Sequence, residues 1–169
     1  MNGAKRLSRN AVLTALALAL SAAESLAPLT VFIPVPGLKI GLSNLVTLYA
    51  LCRLSGKDAL MILICRCFLG SLMGGRLTSF AFSISGGILA FCVMSVLIRS
   101  KRLSLFGVSV AGAAAHNIGQ IAAACAVLGS SSLVVYLPAL LFCSLFTGAM
   151  TGGITVLLIS RIPERESNL

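Results

Sequence analysis

Six stretches of this chain, roughly 9–26, 38–54, 59–73, 79–98, 105–128 and 133–160, run almost without interruption through Leu, Ile, Val, Ala, Phe, Gly and Cys. Charge, Pro or Gly separates them. A run of about 20 apolar residues is what the hydrocarbon core of a bilayer asks of a spanning helix, because backbone N–H and C=O groups meet no water there and must bond within the segment. Six such runs in 169 residues leave little chain for anything else. The sequence therefore predicts one domain over residues 1–169, an all-α polytopic integral membrane protein folded as a six-helix bundle. Only 10% of the residues are charged, against about a quarter in a soluble domain. The last run is long enough to tilt, or to begin with a turn around Pro138.

The formal net charge of +9 would suggest nucleic acid in a soluble chain, but here the cations must first be placed across the bilayer. With the N-terminus inside, Lys5, Arg6, Arg9, Arg53, Lys57, Arg99, Lys101, Arg102, Arg161 and Arg165 all fall in cytoplasmic segments, ten of the thirteen Lys and Arg. An even number of crossings with both termini cytoplasmic fits the positive-inside rule, and five crossings would break it. Lipid, not nucleic acid, is the expected surroundings. The basic start followed by small residues near Ala23 also fits a secretory leader, but the apolar runs that follow argue against one. Six cysteines lie inside apolar runs without zinc-site or disulfide-framework spacing and read as small hydrophobes, and no metal or cofactor is expected.

In the first run Ala11, Ala15, Ala19, Ala23 and Ala27 recur every four residues, which lines one helix face with small side chains. Such a face lets another helix approach closely in lipid. The partner is either a helix of this chain or a separate membrane subunit.

Charged residues inside a spanning helix cost about 2.5–3.5 kcal/mol each on insertion scales, so each calls for a reason. Glu24, Lys39, Asn44, Arg66, Arg76, His116, Asn117 and Gln120 form such a set, and the orientation above places nearly all of it in the outer half. The inner halves are almost uniformly apolar. The set predicts a ligand pocket open to the outside, with His116 and Gln120 four apart on one helix face beside Gly112 and Gly119. Each member also has a plainer role open to it. Lys39 and Arg76 suit snorkelling to headgroups, Arg66 suits pairing with Glu24, and His116 with Asn117 suits bonding helices together. Lys39, Arg66 and Arg76 outnumber Glu24 by two charges, which favours an anionic ligand.

Catalysis by this chain is not expected. Its single aspartate, Asp58, cannot form the clustered carboxylates that hold Mg²⁺ on a diphosphate. No Gly-rich phosphate loop, zinc-protease motif or nucleophile–base pair is present. Without an ATPase of its own, the chain must equilibrate its ligand, couple to an ion or draw on partners.

The stretches PGLKIGLSNLVTLYAL, RCFLGSLMGG, FSISGGILAF, VAGAAAHNIGQI and YLPALLFCSLFTGAMTGGI resemble the bacterial Gx transporter family, also called heptaprenyl diphosphate synthase component I. The likeness runs from about residue 11 to residue 159. It includes Lys39, Gly41 and Asn44 in one motif, and Ala115, His116, Asn117, Gly119 and Gln120 in another. That family is similar in size and layout to the S-components of energy-coupling-factor vitamin transporters. The resemblance thus implies a bacterial plasma-membrane protein that binds a small molecule from outside. It also implies docking, through Ala11, Ala15, Ala19 and Ala23, onto a membrane coupling subunit with cytoplasmic ATPases. Isoprenoid or quinone precursors and flavin-type compounds both remain open as ligands. The alternatives are a membrane accessory subunit of a heptaprenyl diphosphate synthase, for which clustered aspartates are lacking, and a stand-alone ion-coupled carrier.

Overall fold

The computed structural model describes residues 3–26, 39, 41–75 and 77–162. Within them lie six α-helices: α1 (Gly3–Leu26), α2 (Asn44–Arg53), α3 (Gly56–Gly74), α4 (Leu77–Ser100), α5 (Leu105–Leu128) and α6 (Leu137–Arg161). A 3-10 helix, Ser131–Tyr136, leads into α6. No strand occurs among the described residues. α4, α5 and the stretch 131–161 are each long and apolar enough to cross a membrane.

Local chemistry sets the helix ends. At α3 the Ser55 hydroxyl accepts the Asp58 N–H at 3.1 Å and donates to the Asp58 carboxylate at 2.8 Å, using an orphan donor of the first turn. Ser104 likewise accepts the Gly107 N–H at the start of α5. Gly75 and Gly129, at φ +61° and +63°, end α3 and α5 in the left-handed conformation that closes a helix. Pro138 sits in the first turn of α6, where its missing N–H breaks no helical bond, and a 3-10 turn precedes it.

The molecule has its polarity turned inward. Leu7, Val12, Phe68, Leu72, Val96, Phe142 and Leu157 are exposed, whereas Asn10, Glu24, Asn44, Arg66, His116, Asn117 and Gln120 are buried. Water would not favour that distribution, but a hydrocarbon solvent does, because polar groups there find partners only inside the bundle.

Close approach of backbones holds α4, α5 and α6 together. A methyl group added at Gly119 of α5 would lie 2.8 Å from the Ser85 carbonyl oxygen of α4, and one at Gly148 of α6 would lie 2.5 Å from the Val110 Cα of α5. The space beside Gly112 is filled by Met94. Between α5 and α6 the hydroxyls of Ser109 and Thr151 also bond at 2.8 Å.

α2 departs from the sequence expectation. The apolar run 38–54 suggests a full crossing, but α2 has ten residues, which at 1.5 Å per residue is about 15 Å, half the hydrocarbon thickness. Gly41 explains the start: its φ of +93° is inaccessible to a continuing helix, and the chain turns through Leu42 and Ser43 before α2 begins. The first bonds, Asn44 N–H to Gly41 C=O and Leu45 N–H to Leu42 C=O, are of the tight 3-10 kind.

At one end of the bundle α1 begins beside α3, with Arg6 Nε 2.8 Å and Asn10 Nδ2 2.7 Å from Asp58 Oδ1. The Arg53 guanidinium closes the end of α6 there by donating to the Ile159 and Ile162 carbonyls. Lys57, Arg99, Lys101, Arg102 and Arg161 are exposed around the same end.

Candidate functional site

Three helices send polar side chains to Lys39 and the Gly41–Ser43 turn that precedes α2. From α1, Glu24 Oε1 accepts the N–H groups of Gly41 and Leu42 at 2.5 and 2.6 Å. These donors precede α2 and have no helical acceptor, so the carboxylate supplies one. From α3, Arg66 Nη1 donates to the Ser43 hydroxyl at 2.6 Å. From α5, Gln120 Oε1 accepts the Lys39 N–H at 3.1 Å, and its amide nitrogen meets His116 Nε2 at 2.9 Å. The Lys39 ammonium turns back to α1 and donates to Ser21 Oγ at 2.5 Å.

Glycines clear the space for this assembly. A side chain at Gly41 would come within 2.8 Å of Asn44 Nδ2 and 3.1 Å of the His116 ring. On α4, a methyl at Gly86 would strike the Gln120 side chain and the His116 carbonyl, both at 2.7 Å, and one at Gly87 would lie 3.4 Å from Arg66 Nη2. Gly86 and Gly87 thus let α4 close over His116 and Arg66.

The structure brings Glu24, Lys39, Asn44, Arg66, His116 and Gln120 together. Asn117 faces elsewhere: its amide donates to the Leu140 carbonyl of α6 at 2.9 Å, which gives it the helix-joining role. Arg76 lies outside the described residues. Arg66 and Glu24 form no direct salt bridge among the described residues, since each is bonded to the turn instead. Ser21, Ser43, Gly86 and Gly87 were not singled out as site residues from the sequence. Ser43 beside Asn44 was the nearest signal, while Ser21 and the two glycines owe their places wholly to the tertiary fold.

Several buried polar atoms around the turn have no hydrogen-bond partner among the described residues. They are Glu24 Oε2, Arg66 Nε and Nη2, and both amide atoms of Asn44. Arg66 is 3% and Asn44 5% exposed. Unpaired polar atoms at that depth are expensive, and an arginine presenting two free donors in a fixed fork is well shaped for an anionic oxygen.

The sequence matches the family described as heptaprenyl diphosphate synthase component I over residues 13–158. The chain belongs to that family. No curated protein and no solved structure matches it. The matched span takes in the whole polar turn and its partners, while Arg6 and Asn10 precede it. In this member of the heptaprenyl diphosphate synthase component I family the one aspartate, Asp58, is engaged with Arg6, Asn10 and Ser55 at the opposite end from Lys39. The groups at the turn can bind and orient an anion.

The alanine face of α1 is open. Ala11, Ala15, Ala19 and Ala23 are all exposed, and the opposite face, Asn10, Thr14, Ala17, Ser21 and Glu24, is the one packed into the bundle. No helix of this chain covers the stripe among the described residues.

Proposed function

We propose that the chain is the substrate-binding membrane component of a small-molecule uptake transporter, similar in kind to energy-coupling-factor S-components, and that its ligand is anionic. The observation that carries this reading is the group of buried atoms of Glu24, Arg66 and Asn44 near the start of α2 that have no partner among the described residues. Non-helical backbone within a membrane is tolerated where it is buried in protein or lines a binding site, and nearby cations suit charged ligands. The basic residues gathered at the α1-start end favour a cytoplasmic N-terminus in a bacterial plasma membrane, which puts Lys39 on the external side. The exposed alanine face of α1 is then the docking surface for a membrane coupling subunit that carries cytoplasmic ATPases. The chain itself performs no chemistry.

Asn44→Ala is the informative test. Asn44 makes no side-chain hydrogen bond to the described residues, so its removal leaves no partner stranded and the protein should remain folded. The protein purified from its native membrane should carry a small molecule identifiable by mass spectrometry, and the Asn44→Ala protein should carry at least tenfold less. Equal occupancy in both, or no molecule in either, removes the pocket assignment.

The family description favours a second reading, a membrane accessory subunit of a heptaprenyl diphosphate synthase. Reconstitution separates the two. A soluble synthase whose turnover depends on this chain supports the accessory role, and ATP-dependent uptake with a coupling subunit supports transport.

A further inference from the structure

Resting on the capture reading above, we infer that Gln120 is a positioning residue: it holds His116 as a neutral imidazole protonated on Nδ1, so that the ring offers the buried site a donor and no acceptor. The order of bonds begins at a backbone group. The Lys39 N–H can only donate, so the Gln120 atom that meets it at 3.1 Å is the amide oxygen. That fixes which way round the amide stands. Its other end is an NH₂ group, which also only donates, and it meets His116 Nε2 at 2.9 Å. Nε2 must then accept. An imidazolium and the Nε2-protonated tautomer would each set N–H against N–H, so the ring's one proton sits on Nδ1.

Packing keeps the pair in register. Gln120 is 0% and His116 2% exposed, and four residues apart on α5 they share a face. α4 presses on both, since a methyl at Gly86 would lie 2.7 Å from Gln120 Cγ and 3.1 Å from His116 Cε1. Turning the amide over would leave the Lys39 N–H facing a second donor. The backbone before α2 therefore decides the tautomer of a ring on α5.

His116 Nδ1 is buried without a hydrogen-bond partner among the described residues, as are Nε and Nη2 of Arg66. The two side chains lie against consecutive residues of α4, the His116 ring beside Gly86 and Arg66 Nη2 beside Gly87. Donors from α3 and α5 thus border one short stretch of α4. Such a set suits an oxygen that only accepts, such as that of a carboxylate, with the arginine supplying charge and the imidazole a neutral N–H.

The chain has a single histidine, so labelling the full protein with ¹⁵N-histidine gives NMR signals from this ring alone. In the wild type Nε2 should resonate as a bare, pyridine-type nitrogen and Nδ1 as a protonated, pyrrole-type one. The reverse assignment, or two protonated nitrogens, overturns the inference, and this measurement needs no variant to fold. Gln120→Met removes the amide at similar size and should release the ring into a mixture of both tautomers. A folded Gln120→Met protein with the wild-type spectrum would show that Gln120 does not set the proton. Sodium acetate is the acceptor probe: it should move the Nδ1–H proton signal downfield in the wild type, and sodium perchlorate of equal ionic strength, a poor acceptor, should not. An unmoved signal in acetate overturns the donor role. The capture reading is decided separately, by whether protein purified from its native membrane carries a small molecule. A carried molecule with the wrong tautomer sinks the role of Gln120 alone, and the right tautomer with no carried molecule sinks the capture reading alone.

Discussion

Gly41 concentrates the residue-scale constraints. Its φ of +93° is strained for any residue with a Cβ, and the added carbon would press on Asn44 and His116. Gly41→Ala should therefore lower stability by about 1–3 kcal/mol, read as a drop in thermal midpoint in detergent, and should displace the ligand groups on both sides. Glu24 is the second such position, because one of its oxygens holds two backbone N–H groups. Glu24→Ala strands both donors in the interior, at about 1–3 kcal/mol each if nothing replaces the acceptor. Glu24→Gln keeps an oxygen in place and should unfold much closer to the wild type. A proton-coupled carrier would behave differently: uptake by vesicles holding this protein alone, driven by a proton gradient and abolished in Glu24→Gln, would show Glu24 to be a proton carrier instead. At this scale the sequence was informative about side chains and silent about backbone. Glu24, Lys39, Arg66 and His116 attract notice because ionisable groups are costly in lipid. The amides of Gly41 and Leu42, which anchor the arrangement, are groups every residue has, so only the tertiary fold reveals them.

At the scale of elements, the structure has α4, α5 and the stretch 131–161 long and apolar enough to cross a membrane, and Ser104 and Gly129 cap the two ends of α5. Hydropathy failed at α2. Hydropathy reports burial rather than backbone conformation, and Gly41 and Ser43 are as buried as helix residues of the bundle. Gly41 followed by Ser43 was the local sign. Elements also differ in how they are attached. α5 meets α4 and α6 through close backbone contact at Gly119 and Gly148, so Gly148→Leu should force α6 away from Val110 and cost about 1–3 kcal/mol or more, measured by unfolding in a mixed detergent series. α1 is attached differently, by hydrogen bonds at both ends: Arg6 and Asn10 to Asp58 near its start, and Ser21 and Glu24 to the 39–42 turn near its finish. Asp58→Ala strands Asn10 in the interior, and exposed Arg6 contributes less because water screens it. A loss of about 1–3 kcal/mol is expected, and hydrogen exchange should speed up in the first turns of α1 while α4 and α5 stay protected.

For the whole molecule, the two faces of α1 differ in what they meet. Ser21 and Glu24 reach the candidate site, and Ala11, Ala15, Ala19 and Ala23 look outward from the same rod. The spacing of the alanines was plain in the sequence, but which way they pointed was not, because a four-residue repeat fits packing inside the bundle as readily as a free surface. Their exposure makes the surface reading testable without disturbing the site. Ala15→Leu with Ala19→Leu adds bulk where nothing in the described structure opposes it, so stability should change by less than about 0.5 kcal/mol. Ligand carried by the isolated chain should also be unchanged, since neither position touches the 39–43 turn. Uptake in reconstituted vesicles with a coupling subunit should fall at least tenfold, because two leucines hold apart helices that alanines allow to meet and the dispersion contact is lost with distance. Full uptake by the double variant would remove α1 as the docking surface while leaving the binding site standing, and a simultaneous loss of ligand would mean that the stripe supports the fold rather than a partner.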